Sequence, residues 1–488
     1  MFDHFKVTAG GPIYLQITNF IKELIAGGAL HDGVRLPSTR ELGQVMNVSR
    51  NTVVQAYQEL ERAELIRIVR GQGAYVTATG DPPVHRPKLD WEQRINGYGK
   101  AASELKSHTA EYPWREGFIS FNSIAPDESI FDLDDIKRAF LNRVGFEGEK
   151  LLNYGEVRGY RPLIDHLRRY LEMKGIDFEG KEILITNGFT ESFNLVLAAL
   201  TNQGDKIICE NPTHNLALNI MRLGGLEIAG IPVAEDGITI ADLERVLAGG
   251  GVKLGFLIPS YHNPTGLVMP AQKRLEVLNC FERYRVPLVE EGFNEELRFS
   301  GSHVSPLLAL ARDGNGVIHL GSLSKILFPG LRIGWIIGDA RLIHYLESVK
   351  FFRNIYASLL DQAILCEYLQ HGRFQTYLRR AKSHYKARYE HALRLVEHYL
   401  PYRRVWSSGG LHIFLELQGI DTRQLLDYCY QHKVLFTPGD IFYTDGAGRN
   451  TLRLSISRLS ASQMEQGLAI IGDGIRELRR SSGLGRDD

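Results

Sequence analysis

The feature that most constrains the fold is the alternation of short apolar runs with helix-like stretches, from Gly117 to the end of this 488-residue chain. Each run has the length of a buried strand, and the segments between the runs are long enough for crossover helices. This alternation predicts an α/β fold built on a parallel sheet, because parallel strands need long crossover connections. The clearest runs are Glu182–Ile185, Lys206–Cys209, Leu254–Ile258, Val286–Val289 and Val317–Leu320.

The first 80 residues follow a different pattern. Apolar residues recur at helical spacing over Ile13–Ile25, after a Gly-Gly-Pro break. Ser38 and Glu41 have the spacing of a capping box at the start of a second, short helix. A third helix is predicted from Arg50 to about Ala63, and two β-prone runs follow it around Arg70–Gly73. Helix, helix, turn, helix and β-hairpin is the order of a winged helix-turn-helix.

Residues 81–116 separate the two patterns. They begin with a proline-rich segment and continue as a polar stretch with little periodicity. We interpret them as a linker that is partly helical at most. The predicted organisation is therefore a domain at 1–80, a linker at 81–116 and a second domain at 117–488.

Composition excludes several classes of protein. The chain has 57 Lys and Arg against 57 Asp and Glu, and 44% of its residues are hydrophobic. This excludes a disordered chain and a chain that is basic over its whole surface, although a local basic patch remains possible. We find no apolar run of membrane-span length, no signal peptide and no Cys-x-x-Cys pair among the four cysteines. We therefore expect a cytoplasmic protein with reduced thiols and no metal site.

The predicted third helix begins with groups suited to DNA. Its first residues offer a guanidinium, an amide and hydroxyls, which can meet bases in the major groove or phosphates. A small helical dimerisation module with a solvated arginine face is the alternative. The residues predicted to contact DNA are Arg35, Ser38, Arg40, Ser49, Arg50, Asn51, Thr52, Arg70, Gly71, Gln72 and Gly73.

This region resembles the GntR-type winged-helix family over residues 10–77. The resemblance implies that the domain binds double-stranded operator DNA through Arg40, Arg50, Thr52 and the tip of the wing. The matching segments are Pro12–Ile17, Leu36–Leu42, Val48–Val53, Ala56–Leu60 and Gly71–Val76.

In the second domain, the segment Gly321–Arg332 carries reactive groups. Lys325 comes shortly after an apolar strand, where a lysine is unusual unless it has a role. A lysine amine can form a Schiff base with a carbonyl cofactor, and Ser322, Ser324 and Arg332 can bind a phosphate dianion. A solvated loop lysine is the simpler alternative.

Other motifs follow further predicted strands. Thr186–Glu191 contains a glycine turn at a helix start, where backbone N–H groups can face an anion. Asn263 offers an amide, and Glu291 places a carboxylate at a strand's carboxyl end, where open α/β sheets bind ligands. A carboxylate of this kind can keep a pyridinium nitrogen protonated.

Together these motifs resemble the fold-type I aminotransferases, which use pyridoxal 5′-phosphate (PLP), from about Phe121 to the C-terminus. The resemblance implies a large parallel-sheet PLP domain and a smaller C-terminal α/β domain, with Lys325 forming the internal aldimine. It assigns Arg453 to a carboxylate of the substrate or effector. The implied cofactor contacts are Tyr154, which reaches the phosphate of the partner subunit, and Phe189, Thr190, His214, Asn263, Glu291, Phe293, Ser322, Ser324, Lys325 and Arg332.

A GntR-type head on such a body resembles the MocR/GabR transcription regulators over the whole chain. That resemblance implies a head-to-tail homodimer that binds PLP and holds DNA differently once an effector amine meets the cofactor. A genuine aminotransferase with an accessory head and a DNA-binding scaffold with an inactive body are the alternatives. An amino acid or a small amino-terminal peptide is the expected effector. The resemblance implies that regulators sensing GABA carry a second arginine just after the ring-stacking residue. GABA is disfavoured here, because no arginine directly follows His214. Sensing of PLP itself is a third option.

Four residues depart from the usual aminotransferase pattern. Glu291 replaces an aspartate, Phe293 a tyrosine and His214 an aromatic ring, and Ile124 replaces a glycine beside the effector carboxylate. These changes preserve PLP capture and alter the electronics of the ring and the effector pocket. We therefore predict an intact PLP site with weak or no transaminase turnover.

Overall fold

The computed structural model describes residues 1–77, 89–110, 112–292, 295–299, 303–370, 372–406 and 408–481. The chain divides into two compact units, Met1–Ile95 and Asn96–Asp488. Residues 81–88 and 111 of the predicted linker lie outside the described residues.

The first unit is a three-helix domain with a β-hairpin. Ser38 Oγ accepts a hydrogen bond from the Glu41 N–H, and the Glu41 carboxylate accepts one from the Ser38 N–H, which confirms the predicted capping box. Side chains from all three helices and the hairpin, including Ile21, Val53 and Val76, form its own hydrophobic core. The elements are α1 (Ile13–Ala26), α2 (Thr39–Val45), α3 (Arg50–Arg62), β1 (Ile66–Val69) and β2 (Gly73–Val76).

The second unit contains a seven-stranded sheet. Its strands in chain order are β4 (Lys181–Thr186), β5 (Lys206–Asn211), β6 (Glu227–Pro232), β7 (Val252–Leu257), β8 (Leu288–Gly292), β9 (Val317–Ser322) and β10 (Gly334–Asp339). In space their order is β4-β10-β9-β8-β7-β5-β6. Only β10 runs antiparallel to its neighbours, and the other pairs are parallel. The parallel sheet predicted from the apolar runs is thereby confirmed.

Helices cover both faces of this sheet. Alternate residues of its strands therefore belong to two separate cores. Ile183 and Ile185 belong to one core, together with the helices at 161–172, 271–283 and 359–369. Leu184 belongs to the other core, together with the helices at 189–200, 215–223 and 340–354. The helices of the unit up to this point are α4 (Gly97–Ala110), α5 (Leu133–Glu147), α6 (Arg161–Glu172), α7 (Phe189–Leu200), α8 (Asn215–Leu223), α9 (Ile240–Ala248), α10 (Ala271–Arg283), α11 (Leu307–Leu310), α12 (Ala340–Asn354) and α13 (Leu359–Leu369).

A smaller C-terminal α/β region follows the long helix α14 (Arg373–Tyr399). Its antiparallel sheet has the order β11-β12-β15-β14, and the short strand β13 pairs in parallel with β3 (Ile119–Ser120). The resemblance to fold-type I enzymes predicted this smaller region. The remaining elements are β11 (Tyr402–Trp406), β12 (His412–Leu417), α15 (Thr422–Gln431), β13 (Val434–Leu435), β14 (Thr437–Pro438), β15 (Thr451–Ser455) and α16 (Ala461–Ser481).

Two further observations concern the chain as a whole. The four cysteines, Cys209, Cys280, Cys366 and Cys429, are buried and unpaired. In the part of the chain that the structure describes, no helix combines the length and the apolar character that crossing a membrane requires.

Candidate functional site

A cavity of about 220 Å³ lies at the carboxyl ends of β8 and β9. We call it the lysine cavity. It brings together side chains from four separate segments of the chain, as expected for the edge of an open α/β sheet. Its lining residues are Phe189, Thr190, His214, Leu216, Glu291, Gly292, Leu320, Gly321, Ser322, Ser324, Lys325 and Arg332.

The environment of Lys325 favours the neutral amine. The pKa of Lys325 is lowered to about 8, mainly by burial and also by the nearby charge of Arg453, while Glu291 opposes the shift. A neutral amine is the form that attacks a carbonyl carbon. A lowered pKa increases the fraction of Lys325 in this form near neutral pH.

Glu291 faces the same cavity from the end of β8. Its Oε2 lies 3.2 Å from His214 Nδ1, and both side chains are buried. The His214 ring is itself tilted against Phe189, with the ring centroids 5.2 Å apart. The imidazole thus holds the carboxylate in place while presenting a ring to the cavity.

Ser322, Ser324, Arg332 and the start of α7 also line the cavity, and we call this group the anion-binding turn because its donors suit an anion. Ser322 Oγ lies 2.9 Å from Ser324 Oγ, and the Arg332 guanidinium donates to the Asn187 carbonyl at 3.1 Å. Gly188 precedes α7 with φ +88°, and a Cβ there would lie 2.9 Å from the Arg332 guanidinium. The start of α7 carries no side-chain cap, so its N–H groups are available. Hydroxyls, a guanidinium and a helix N-terminus together suit a phosphate dianion.

Arg453 and Asn263 meet at a second point near the lysine cavity. Arg453 lies on β15, and its Nη1 donates to Asn263 Oδ1 at 2.9 Å, while Nη2 donates to the Asn122 carbonyl at 3.3 Å. Burial lowers the pKa of Arg453 to about 10. Asn263 Nδ2 and Arg453 Nε are buried and have no hydrogen-bond partner among the residues described. Buried donors of this kind need an acceptor, which a bound ligand or an ordered water can supply.

Besides Asn263 and Arg453, which do not line the lysine cavity, three further predicted residues lie away from its lining or outside the description. Tyr154 is 81% exposed and contacts Tyr356 edge to face. Ile124 is half-buried and packs against the core of the sheet. Phe293 lies outside the described residues.

Sequence reasoning missed a second cavity of about 490 Å³. Helix α8 contributes Asn215, Asn219 and Arg222, whose spacing places them on one face of the helix, and this spacing was the available signal. The cavity lining is Leu105, Tyr112, Asn122, Asn215, Asn219, Arg222, Arg423, Leu426, Leu435, Phe436, Thr437, Pro438, Asp440, Ile441 and Arg453.

The predicted DNA-contacting residues of the first unit lie at two places. Around the start of α3, Arg40, Arg50 and Asn51 are exposed, and Ser49 Oγ accepts from the Thr52 N–H at 3.1 Å. Ser38 and Ser49 thus also serve as helix caps. At the hairpin, Arg70, Gly71 and Gln72 are exposed at the tip, and the Arg35 side chain lies against Gly73.

Comparison with known proteins places both units. The profile of aminotransferase class I and II matches residues 120–471, and that of bacterial regulatory proteins, gntR family, matches residues 13–76. The HTH-type transcriptional regulator YdfD of Bacillus subtilis is 28% identical over 96% of this chain and 97% of its own length. The probable rhizopine catabolism regulatory protein MocR of Rhizobium meliloti is 29% identical over 77% of this chain and 76% of its own.

A solved structure matches the second unit. The crystal structure of LysN, the α-aminoadipate aminotransferase of Thermus thermophilus, complexed with N-(5′-phosphopyridoxyl)-L-leucine, aligns with a TM-score of 0.73 and 28% identity. The alignment covers 80% of this chain and 100% of LysN. The chain therefore belongs to the aminotransferase class I and II family, and it is a GntR-type regulator whose helix-turn-helix domain is fused to an aminotransferase-like domain, as in the MocR homologue.

Proposed function

We propose that this chain is a PLP-dependent, DNA-binding transcription regulator that senses an amino compound at Lys325. The observation that carries the proposal is the lysine cavity, where an amine of lowered pKa shares the space with a buried carboxylate and an anion-binding turn. The family to which the second unit belongs is PLP-dependent.

The residues present fit PLP. Glu291 suits the pyridine nitrogen, and the unpartnered Nδ2 of Asn263 suits the phenolic oxygen. Ser322, Ser324 and Arg332, with the start of α7, suit the phosphate. When bound, PLP supplies an aldehyde that condenses with amines and a ring that withdraws electrons.

The side chains of the chain itself divide the remaining work. Lys325 would hold the cofactor through Nζ, and when it is not joined to the cofactor its amine, with a pKa of about 8, can gain or lose a proton near neutral pH. Glu291 holds a proton at the ring nitrogen, and His214 fixes the Glu291 carboxylate by the 3.2 Å contact. Arg453 binds a carboxylate of the incoming amino compound.

Double-stranded operator DNA is the proposed partner of the first unit. The exposed start of α3 would enter the major groove, and the exposed tip of the β1–β2 hairpin would lie against the backbone. An effector can change this binding only through a different affinity for the two conformations of the protein.

A head-to-tail homodimer is also proposed. Large apolar side chains are exposed on α5, on α12 and in the segment that ends at Tyr154, and such patches are uncommon on monomers. Tyr154 is then free to reach the phosphate site of the partner subunit, as the family resemblance implies. The most exposed of these side chains are Leu133, Leu141, Phe146, Leu152, Tyr154, Tyr345 and Phe352.

The decisive experiment combines cofactor binding with DNA binding. We expect the purified chain to show a visible absorption band after addition of PLP, and borohydride reduction to fix the cofactor to a peptide that contains Lys325. Lys325→Ala should lose the band. A gel shift on DNA from upstream of the chain's own coding sequence should occur with the wild type. Absence of the band would contradict the proposal, as would a band without any gel shift.

A genuine aminotransferase remains the second candidate, because the lysine cavity retains Lys325, Glu291 and the anion-binding turn. Glu291 and His214 depart from the usual residues at the ring, which favours weak turnover. The distinguishing measurement is the return of the cofactor from its amine to its aldehyde form on addition of a keto acid. A return at ordinary enzyme rates would support the enzyme.

A further inference from the structure

The second cavity, which we call the arginine cavity, adjoins the lysine cavity through helix α8 and Arg453. Consecutive residues of α8 line the two spaces, Asn215 the arginine cavity and Leu216 the lysine cavity. Arg453 lines the arginine cavity and lowers the pKa of Lys325 electrostatically. The volume of the arginine cavity, about 490 Å³, lies within the range of small-molecule sites. A ligand whose amine reaches Lys325 can therefore extend into the arginine cavity.

The charge of the arginine cavity is unbalanced. Among the described lining residues, Arg222, Arg423 and Arg453 stand against the single carboxylate of Asp440. Arg423 Nε lies 3.2 and 3.0 Å from the two carboxylate oxygens of Asp440, so this pair is already matched. Arg453 is buried in the cavity without a carboxylate partner among the described residues, and Arg222 is exposed at the cavity surface.

Neither of these two arginines has an acidic partner in the part of the chain that the structure describes. Arg222 Nη2 donates to the Tyr443 carbonyl at 3.3 Å, and no carboxylate of the described residues forms a salt bridge with Arg222. Arg453 is only 6% exposed, and its Nε has no partner among the described residues. A buried guanidinium with an unused donor is unfavourable unless an anion completes its surroundings.

The wall between the two arginines is polar. Asn215 and Asn219 lie one turn apart on α8, and Arg222 continues the same helical face towards the end of the helix. Amides on such a wall can hydrogen-bond a polar chain along its length. The lining thus offers a binding surface with a guanidinium from β15 and a second guanidinium from the last turn of α8.

Building on the proposed function, we propose that the effector is an amino compound with two acidic groups. One acidic group meets Arg453, near the amine that reaches Lys325, and the second meets Arg222 in the arginine cavity. This assigns Arg222 as a specificity-determining residue and names the effector class as amino dicarboxylates, including acidic amino acids.

The test uses the full-length chain loaded with PLP, with the visible spectrum of the bound cofactor as the readout. L-aspartate, L-glutamate and L-2-aminoadipate are titrated, together with the neutral amides L-asparagine and L-glutamine. If L-aspartate or L-glutamate binds best, we expect that acid to bind at least about tenfold more tightly than its amide, since charge-assisted pairs are strong. If L-2-aminoadipate binds best, the same difference is expected between L-glutamate and L-glutamine. Arg222→Gln should reduce this preference to about twofold or less. Arg222→Lys should keep part of it, because it retains the charge but loses the planar fork.

Arg245→Gln is the matched control. Arg245 also lies in the last turn of a nine-residue helix, and it does not line the cavity. It should leave the preference unchanged, and all three variants should keep the PLP band. Equal affinity for acid and amide in the wild type, or an unchanged preference in Arg222→Gln, would overturn the inference while the proposed function stands. A wild-type spectrum that responds to no amine, tested also with neutral and peptide amines, would instead contradict amine sensing itself, and this inference with it.

Discussion

At the scale of single residues, Lys325 links the geometry of the lysine cavity to a measurable pH dependence. Its pKa is lowered to about 8, mainly by burial, with Arg453 and Arg332 lowering it and Glu291 raising it. Below that pH the amine is protonated and cannot attack, and the neutral fraction rises about tenfold for each pH unit up to the pKa. We therefore expect the rate of covalent PLP capture by cofactor-free protein to rise with pH and to level off above about 8.

The measurement is the growth of the visible band after mixing with PLP, followed across a pH series. The small amine N-α-acetyl-lysine serves as a reference, since its ordinary pKa keeps its own rate rising to higher pH. A protein profile that follows the reference would mean that the cavity does not lower the pKa of Lys325.

Gly188 gives a second prediction at this scale. It has φ +88°, and a Cβ there would lie 2.9 Å from the Arg332 guanidinium. Gly180 has φ +66° with open space around it, so Gly180→Ala causes a comparable backbone strain without the collision. Both variants should melt at slightly lower temperature. Only Gly188→Ala should weaken PLP binding, by about tenfold, because it displaces the guanidinium of Arg332, which we propose as a phosphate ligand. Equal PLP affinities in a titration would refute the role given to this turn.

At the scale of elements, the proposed DNA contacts of helix α3 lie at its start, and none is proposed at its end. Arg50 begins the helix and is exposed, whereas Arg62 ends it and pairs with Glu59 at 2.6 Å. Arg50→Gln should lower affinity for upstream DNA by about tenfold or more, as expected when a base or phosphate contact is lost. Arg62→Gln should leave it unchanged. Fluorescence anisotropy with labelled DNA, at two salt concentrations, measures both, and equal losses would argue against α3 as the reading helix.

The elements themselves were the most predictable part of the structure. The Ser38 capping box and the apolar runs of β4, β5, β7, β8 and β9 are local signals, because capping and strand burial depend on neighbouring residues. Helix α4 gives no such signal, and the sequence predicts only a linker that is partly helical at most; 14 residues there are helical.

Contacts between distant segments could not be read from local patterns. The hydrogen bond from Arg453 to Asn263 joins residues 190 positions apart, and the family resemblance gave each a role without pairing them. Gly321 is covered by the Trp335 indole, which leaves no room for a Cβ, yet neither residue signals this locally. The arginine cavity is a larger case, since it exists only where α4, α8 and the C-terminal region meet.

At the scale of the whole molecule, neutrality bears on how DNA is held. The chain has 57 basic and 57 acidic residues, so no overall positive charge favours association with DNA. A single first unit should therefore bind weakly, because few phosphates are neutralised. The proposed dimer would gain affinity from two linked heads by effective concentration.

This gives a prediction for a fragment of residues 1–95, the first compact unit. It should bind upstream DNA at least about 100-fold more weakly than the full chain at the same salt concentration. The fragment's circular dichroism and thermal melting serve as the control for folding. A folded fragment with the affinity of the full chain would show that linkage of two heads contributes nothing.

Helix α4 lies at the end of the predicted linker and also supplies part of the lining of the arginine cavity, through Leu105. The linker that leads to the DNA-binding unit and the lining of the arginine cavity thus share helix α4. An effector bound in the arginine cavity, as proposed, would contact this shared helix directly through Leu105. Substitutions in helix α4 should therefore change which sizes of effector are accepted, without changing the chemistry of the cofactor.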